Sequence, residues 1–383
     1  MKHGWEYKKF TDVCDVQYGF AFDSKFFTDD ENAMPLIRIR DVMRGYSETF
    51  YNGEIPNGYL INEGDYLVGM DGEFNIGRWG KRPGLLNQRV CKMSSSSKLL
   101  DNQYMYYFMK VCLKSIEDET PFVTVKHLSA KRINLIKIPL PPLLTQQSIA
   151  SELDKINELI RLKKEQLRDY DNLAQSIFYE MFGDPVVNEK GWDNSTIESV
   201  CSSIVRGPFG SALKKEFFVE STNDTYKVYE QKHAIQKNHI IGSYYITKEK
   251  FQELRRFEVF PGDIIMSCSG TIGEFYQIPK EAEKGVMNQA LLKFTLNENR
   301  TTTEFFMFLM NFIKNSFETK GTGLQNIGSV KVIKSMILGL PPLPLQQLFA
   351  QRIELIEQLK DEIKTTIADL ETLLASRMQY WFD

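Results

Sequence analysis

The chain has 383 residues, of which 42% are apolar and 25% charged, and its formal net charge is −3. This length predicts more than one domain, and the charge gives no overall basic signal for nucleic acid, although a basic face can coexist with an acidic remainder. The five cysteines and four histidines lack disulfide or metal-ligand spacing, and no apolar run could cross a membrane, so we expect a soluble cytoplasmic protein without a metal site or a membrane partner.

The first element along the chain is a globular region, which we assign to residues 1–140. Short aromatic and β-branched runs alternate with glycines there, and the runs at 36–40 and 65–68 are typical of strands. Residues 102–114 have helical periodicity. This pattern predicts a mixed α/β (α+β) domain.

The second element is a long helix, which we assign to residues 141–184. Its apolar positions advance by alternating steps of four and three from Ile149 to Met181, and no proline or glycine interrupts the series before Gly183. About 40 residues at 1.5 Å each give a helix of about 60 Å. An apolar seam of that length must be buried against another surface.

The rest of the chain repeats this order. Residues 185–340 contain strand-like runs such as 263–266 and a helical segment at 303–314, and residues 341–383 form a second long helix. Motifs of the first half recur in the second: Trp5 as Trp192, Gly64-Asp65 as Gly262-Asp263, Asn87-Gln88 as Asn288-Gln289, Pro141-Pro142-Leu143 as Pro341-Pro342-Leu343, and Gln146-Gln147 as Gln346-Gln347. A duplication of this size predicts two copies of one unit.

The second helix carries an apolar seam from Phe349 to Trp381 in the same register as the first. Two equivalent helices can bury their seams on each other. We therefore predict an antiparallel coiled-coil pair around a pseudo-two-fold axis. The alternative is that each helix lies on its own globular domain.

Motifs for catalysis are missing from the sequence. The nearest approach to a phosphate-binding loop, residues 72–79, lacks the lysine and the hydroxyl residue, and no glycine-rich loop opens a dinucleotide-binding unit. The acidic-Pro-Pro-aromatic tetrad of an amino-methyltransferase is missing, and the nuclease-like Glu6-Tyr7-Lys8 has no acidic partner upstream. We expect no enzyme activity from the chain by itself and no cofactor.

The order of these features resembles the specificity (S) subunit of type I restriction-modification enzymes over the whole chain. The resemblance rests on the two tryptophans, the Gly-Asp turns, the Asn-Gln pairs, the Pro-Pro-Leu…Gln-Gln lead into each helix, and a Gly-x-Phe-x-Ser turn. That turn runs from Gly19 to Ser24 in the first half and from Gly207 to Ser211 in the second. The looser form in the first half leaves the geometry of its loop less defined.

The resemblance implies two target-recognition domains, 1–140 and 185–340, each reading one half of a split site in double-stranded DNA. The helices at 141–184 and 341–383 would set the spacing and dock two methyltransferase (M) subunits. Nuclease and translocase (R) subunits would join through the complex. S-adenosylmethionine, ATP and magnesium would then belong to those partners.

A domain that reads DNA needs cations for phosphates and side chains that bond to base edges. In the first domain the candidates are Ser24, Lys25, Arg38, Arg40, Arg44, Arg78, Lys81, Arg82, Arg89 and Lys126. In the second they are Arg206, Ser211, Lys214, Lys215, Gln231, Lys232, Ser267, Ser269, Thr271, Gln325 and Asn326. Because the two sets differ, we expect an asymmetric target. Each candidate could instead be an ordinary surface group: Arg38 and Arg40, two apart on a predicted strand, could form a solvated edge.

We interpret the Gly-Asp and Asn-Gln pairs as structural motifs and not as DNA contacts. We expect the first to be a turn that starts a strand and the second a buried amide that fixes loops.

The long helices also carry apolar residues outside their seams, which we interpret as partner-binding. They are Leu159, Leu173, Phe178, Phe182, Leu359, Leu373, Met378 and Phe382. The alternative is that they pack on the adjoining globular domains. A coiled-coil adaptor that binds only protein is the competing function.

Overall fold

A computed structural model describes residues 4–80, 82–120, 126–314, 317, 319–320, 326–327 and 329–382. Its contacts divide the chain into two compact units. Unit 1 comprises Met1–Glu165 and Ile363–Asp383, and unit 2 comprises Gln166–Glu362. Each unit therefore combines one globular region with part of each long helix, whereas the sequence predicted each helix as an element of its own.

Unit 1 begins with a globular α+β region. Its elements are β1 (Glu6–Lys9), β2 (Cys14–Tyr18), β3 (Phe27–Thr28), β4 (Met34–Ile37), β5 (Phe50–Tyr51), β6 (Leu60–Ile61), β7 (Tyr66–Gly69), β8 (Ile76–Arg78), β9 (Gly84–Leu86), β10 (Val90–Ser95), α1 (Asn102–Glu119), α2 (Ala130–Ile133) and β11 (Lys137–Leu140). The helix predicted at 102–114 is confirmed as α1, which extends five residues further. Asp101 caps its start by accepting a hydrogen bond from the Tyr104 amide at 2.9 Å.

The strands of unit 1 form two larger sheets and one short pair. One sheet has the antiparallel order β2-β10-β7-β8, and the other has the order β3-β5-β4-β9-β6, in which β4 and β9 are parallel. β1 pairs with β11. The main core of the unit gathers residues from the first sheet and from α1, including Val68, Met93 and Tyr104.

Unit 2 repeats this topology. Its globular elements are β12 (Asp193–Thr196), β13 (Cys201–Arg206), β14 (Tyr226–Tyr229), α4 (Gln231–Ile235), β15 (Tyr245–Ile246), α5 (Lys248–Glu253), β16 (Glu258–Val259), β17 (Ile264–Ser267), β18 (Phe275–Gln277), β19 (Gly285–Met287), β20 (Leu291–Leu296), α6 (Thr303–Ile313), β21 (Thr319–Lys320), β22 (Asn326–Ile327), α7 (Val330–Ser335) and β23 (Ile337–Leu340). The order β13-β20-β17-β18 corresponds to the first sheet of unit 1, and the order β15-β14-β19-β16 again contains a parallel pair, β14 and β19. The predicted duplication is therefore a duplication of fold.

The long helices are α3 (Leu143–Phe182) and α8 (Leu343–Phe382). In unit 1, Lys164 Nζ lies 2.7 Å from Glu371 Oε1, and Arg377 binds Glu152. In unit 2, Lys360 Nζ lies 2.8 Å from Asp171 Oδ1. Residues nearer the start of α3 contact residues nearer the end of α8. The two helices therefore pair antiparallel, as predicted.

The seam residues of both helices are buried or half-buried, which confirms the heptad interpretation. Lys360 occupies one seam position. Burial opposes its charge, but hydrogen bonds and charge attraction from Asp171 and Glu357 outweigh that effect and raise the pKa of Lys360.

The motifs that recur in both halves join the globular regions to the helices. The buried Gln146 side chain donates to the carbonyls of Leu99 and Pro141 and accepts from the Asp101 amide at 2.9 Å. Gln346 makes the equivalent bonds to Arg300, Pro341 and Thr302 in unit 2. Gln146 therefore ties the start of α3 to the start of α1, and Gln346 ties the start of α8 to the start of α6.

The Gly-Asp turns start strands, as predicted. Gly64 and Gly262 adopt φ of 88° and 89°, in the left-handed region that favours glycine. The following aspartates accept hydrogen bonds from the amides of Asn62 and Phe260 at 2.9 and 2.8 Å, immediately before β7 and β17. No helix in the described part of the chain is both long and apolar enough to span a bilayer.

Candidate nucleic-acid interface

Four loops of unit 1, each of which follows a strand of one of the two larger sheets, lie close together. They are residues 19–22 after β2, 38–41 after β4, 70–72 after β7 and 87–89 after β9, and we call them the strand-end loops. Hydrogen bonds join them: the Gln88 amide donates to the Phe20 carbonyl at 2.8 Å, and the Met70 amide donates to the Arg89 carbonyl at 2.9 Å. Their side chains therefore share one end of the unit.

Unit 2 has the equivalent strand-end loops at residues 207–211, 230–233, 268–271 and 288–290. The Asn288 amide donates to the Tyr229 carbonyl and the Cys268 amide donates to the Ala290 carbonyl, both at 2.9 Å. In each unit a glycine lies against the Asn-Gln loop, because a Cβ on Gly19 or Gly207 would meet the carbonyl of Asn87 or Asn288 at 2.0 or 1.8 Å. The two backbone frameworks match.

The Asn87 side chain is buried, and its Oδ1 accepts from the Gln88 amide at 2.9 Å, which confirms that this amide fixes its loop. In unit 2, Asn288 Oδ1 accepts from the Ala290 amide at 3.0 Å.

The two units use different chemistry on this common framework. The turn after β4 is closed by the buried Asp41, whose carboxylate accepts from the Arg38 amide at 2.9 Å. The turn after β14 is closed by the buried His233, whose Nδ1 accepts from the Glu230 amide at 2.8 Å while Nε2 donates to the Ile241 carbonyl at 2.7 Å. Burial lowers the pKa of His233, so the ring stays neutral and keeps its acceptor.

The structure corrects the strand predicted at 36–40. β4 ends at Ile37, because Asp41 closes a turn that begins at Arg38, and Arg40 lies in the short 3₁₀ helix Ile39–Asp41. The two arginines therefore do not form a strand edge. Arg38 lies in a strand-end loop together with Arg89, whose Nε is 3.2 Å from Asp71 Oδ2.

Three other predicted cations of unit 1 contact the protein itself or lie outside the strand-end loops. Arg82 donates to the carbonyls of Glu31 and Ala33 at 2.6 and 2.8 Å, and Lys126 donates to the Glu117 carbonyl at 2.6 Å. Arg78 lies beside Gly64, at the opposite end of β7 from the strand-end loops. The backbone of Lys126 borders a strand-end loop, because its carbonyl accepts from the Gly72 amide at 2.9 Å, but its ammonium is bonded to the protein's own backbone. Arg78 and Arg82 lie outside the strand-end loops.

Three further cations are exposed and paired with neighbouring carboxylates. Arg40 Nε is 3.7 Å from Asp41 Oδ1, and Arg44 Nη1 is 3.4 Å from Glu48 Oε2. Ser24 and Lys25 begin a 3₁₀ turn, and Lys25 Nζ is 2.8 Å from Asp23 Oδ2. The hydrogen bond and charge attraction between this last pair raise the pKa of Lys25 and lower that of Asp23. Lys81 lies outside the described residues.

In unit 2 the strand-end loops and the segments beside them bring together more of the predicted set. Gln231, Lys232, Ser269, Thr271 and Ser211 lie in these loops, Arg206 immediately precedes one, and the exposed Lys214 and Lys215 follow it. Ser267 is corrected: it is fully buried, and its hydroxyl accepts from the Glu274 amide at 3.1 Å. Gln325 lies outside the described residues, as does the side chain of Asn326.

Sequence reasoning missed Gln88, Gln289 and Phe209, all of which are exposed in strand-end loops. The signal for the glutamines was present, because an Asn-Gln pair recurs in both halves. The asparagine fixes the loop, and the adjacent amide points outward, where it could bond to an adenine edge.

The predicted partner-binding residues divide into two groups. Phe178 and Phe182 are buried and pack on Phe305 and Phe349 of unit 2, and Phe382 packs on Tyr104 of unit 1. Met378 packs against the same core as Phe382. Phe178 and Phe182 are thus buried, and Met378 and Phe382 are half-buried against the core of unit 1. For these four, the contacts agree with the alternative interpretation, in which they pack on the globular domains.

The other four partner-binding residues keep surface area. Leu159 is 48% exposed, Leu173 and Leu373 are each 46% exposed, and Leu359 is half-buried. Leu159 lines a groove of about 690 Å³ together with Gln147, Asp154 and Glu158. These residues stay candidates for partner contact.

Comparisons with known proteins agree with this architecture. The family model described as the type I restriction modification DNA specificity domain matches residues 2–169 and again residues 189–372. The EcoBI specificity subunit of a type I restriction enzyme from Escherichia coli is 43% identical over 144 residues, which are 38% of this chain and 30% of that protein. The MjaVIII specificity subunit from Methanocaldococcus jannaschii is 29% identical over 143 residues, 37% of this chain and 33% of that protein. The matched stretch thus spans about a third of each relative's length.

Two solved structures share the fold over nearly the whole chain. The S subunit of a type I restriction-modification system from M. genitalium aligns with a TM-score of 0.52 and 14% identity, covering 99% of this chain and 96% of that one. A chain solved in work on complex assembly and conformational transition of the type I R-M system aligns with a TM-score of 0.65 and 16% identity, covering 100% and 98%. At these identities the likeness describes the fold.

Proposed function

Because this chain belongs to the family of type I restriction modification DNA specificity domains, we propose that it is the DNA-recognition subunit of a type I restriction-modification complex and has no catalytic role of its own. Unit 1 and unit 2 each bind one half of a bipartite, asymmetric site in double-stranded DNA. The observation that carries this proposal is the pair of matching strand-end loop frameworks with different side chains.

The difference between the frameworks supports two different half-sites. Arg38, Ile39 and Arg40 in unit 1 occupy the turn that Glu230, Gln231 and Lys232 occupy in unit 2. Arginine suits guanine and phosphate, whereas glutamine suits adenine and a carboxylate suits the amino group of cytosine. A rigid backbone with variable side chains lets each unit read its own bases.

The proposal extends to the partners. Recognition domains at 1–140 and 185–340 bind DNA, and the helices at 141–184 and 341–383 set the spacing and dock two methyltransferase subunits. Nuclease and translocase subunits join through that complex, and S-adenosylmethionine, ATP and magnesium act in the partners. The complex works in the cytoplasm, where the chromosome is accessible to it.

Selection from a random pool of duplexes tests the proposal. The full chain, alone and with its methyltransferase subunit, is incubated with the pool at low salt, and the retained duplexes are sequenced. We expect two short, different blocks at a fixed separation. Retention without any enriched sequence would reject sequence recognition, and no retention at all would reject the proposal and favour the protein-only adaptor.

Lys214 offers a test of the phosphate contacts. Its side chain is 57% exposed and its Nζ lies 3.7 Å from Glu216 Oε1, and such an exposed ion pair contributes little to stability. Lys214→Ala should weaken binding to all duplexes alike and reduce the slope of log Kd against log salt by about 0.9, the value for one lost phosphate contact. Fluorescence anisotropy at several salt concentrations measures both, with Lys155→Ala on α3 as the control. An unchanged slope would remove Lys214 from the interface.

Leu159 and Leu359 offer a test of the partner surface. Replacing both with glutamate places a carboxylate at each position. Because an apolar partner surface would remove water from these carboxylates at a large cost in free energy, methyltransferase binding should fall at least tenfold. Co-purification and calorimetry measure the loss. Leu144→Glu makes the same change at another exposed leucine of α3 and serves as the control. Undiminished binding by the double variant, with normal melting, would place the partner elsewhere.

A further inference from the structure

Phe209 has the highest exposure among the large apolar side chains that the structure describes. The residue is 91% exposed in the strand-end loop that follows β13. Single exposed apolar residues are common on protein surfaces and need no function. Three further observations separate Phe209 from that background.

Hydrogen bonds anchor the backbone of the loop that carries Phe209. The Gly207 amide donates to the Leu291 carbonyl at 3.0 Å, and the Phe209 carbonyl accepts from the Ala212 amide at 2.9 Å as the first bond of a 3₁₀ turn. Pro208 before the ring and Leu213 after it are both buried. The aromatic side chain is therefore presented by an anchored loop, which reduces the entropy lost when it binds.

The surroundings of Phe209 are polar and cationic. Arg206 precedes the loop, and the exposed Lys214 and Lys215 follow it. An apolar ring among groups that suit phosphates matches DNA better than it matches an apolar protein surface.

The equivalent loop of unit 1 differs. Ala21 stands two residues after Gly19, at the position that Phe209 has after Gly207. The neighbouring Phe20 is 40% exposed, and its ring centroid lies 5.2 Å from those of Phe22 and Tyr59. The aromatic group of unit 1 is thus held against its own domain. The two units differ in shape at this position as well as in charge.

We propose that the Phe209 ring inserts against the base stack of the half-site bound by unit 2 and acts as an apolar wedge. Aromatic side chains stack on bases of any sequence, and apolar wedges unstack a base step and bend the duplex. Unit 2 therefore deforms its half-site, and unit 1 does so less. This inference rests on the proposed function.

The experiment uses the full chain and the duplex selected by the wild-type protein, with 2-aminopurine placed at one position at a time across both half-sites. Binding of the wild type should raise the fluorescence at a step in one half-site. Phe209→Ala should abolish that rise and weaken binding about 5- to 150-fold. Because a stacked ring releases no counterions, the salt slope should stay unchanged, unlike that of Lys214→Ala.

Leu144→Ala, at a leucine that is 81% exposed on α3, is the matched control and should bind as the wild type does. A fluorescence rise that persists in Phe209→Ala, or an unchanged Kd, overturns the wedge while the proposed function stands. Normal DNA binding by Phe209→Ala together with lost methyltransferase binding would assign the ring to a protein partner and also overturn it. A wild-type chain that binds no duplex removes the proposed function and this inference together.

Discussion

A fragment of residues 1–184 will form a dimer in solution. In the full chain, the end of α8 covers the core of unit 1 with Leu374, Met378, Trp381 and Phe382, and the fragment lacks all four. Its own α3 carries counterparts 200 positions earlier, Ala174, Phe178, Met181 and Phe182. The end of α3 from a second copy can therefore occupy the same place, in the antiparallel arrangement that α3 and α8 adopt.

The aromatic contacts make this exchange favourable. Phe382 packs on Tyr104 in unit 1, and Phe182 packs on Phe305 at the equivalent position in unit 2. A second Phe182 thus meets an aromatic surface of the kind it already contacts. Burying each phenylalanine contributes about 1.5–3 kcal/mol, and both copies gain at once because the interface is two-fold.

Sedimentation and light scattering measure the mass of the fragment, and duplex selection reads its target. We expect twice the fragment mass and an interrupted palindrome built from the half-site of unit 1. Phe178→Asp with Phe182→Asp should leave a monomer, which separates specific pairing from aggregation. A monomeric wild-type fragment, or a selected site that still contains the second half-site, would contradict the antiparallel exchange.

The second large effect is expected for the buried glutamines that begin the long helices. Gln146→Leu removes three hydrogen bonds and leaves the Asp101 amide and the carbonyls of Leu99 and Pro141 without this partner. Unsatisfied buried groups cost about 1–3 kcal/mol each, and water can partly replace two of the three bonds, which are only partly buried. We therefore expect a loss of about 2–5 kcal/mol from the free energy of unfolding of unit 1.

Urea denaturation followed by circular dichroism measures this loss. Gln147→Leu changes the adjacent, exposed glutamine in the same way and should alter stability by less than about 0.5 kcal/mol. Gln346→Leu should destabilise unit 2 in parallel. Equal stability of the Gln146 and Gln147 variants would show that the buried network contributes little.

The periodicity of the sequence was enough to predict the two long helices and the side of each that is buried. The steps of four and three from Ile149 to Met181 depend only on which side of the helix is apolar, and the structure buries that side. The repeat itself identified the partner, because equal seams in equal register can bury each other. The ends of short strands were harder: β4 stops at Ile37 because one side chain, Asp41, bonds back to the Arg38 amide.

The candidate interface was predictable only in part. The position of Arg38, Arg89 and Lys232 in loops was enough to select them as DNA-binding candidates. The sequence does not reveal which cations already bond to the protein's own carbonyls, as Arg82 and Lys126 do. Phe178 and Ser267 were predicted to contact partners or DNA, but both are buried by residues from distant segments of the chain. These outcomes depend on tertiary contacts, which sequence spacing does not contain.

The composition of unit 1 has a consequence for synthesis of the protein. Its first 165 residues leave the ribosome long before Ile363–Asp383, the segment that completes the unit. At about 5–20 residues per second, roughly 10–40 s pass between the two. During that interval the nascent chain exposes the apolar surface that Trp381 and Phe382 later cover. A chain that is truncated near residue 362 therefore leaves the core of unit 1 incomplete, although most of that unit was synthesised first. The need for chaperones should also depend on how fast residues 166–383 are translated.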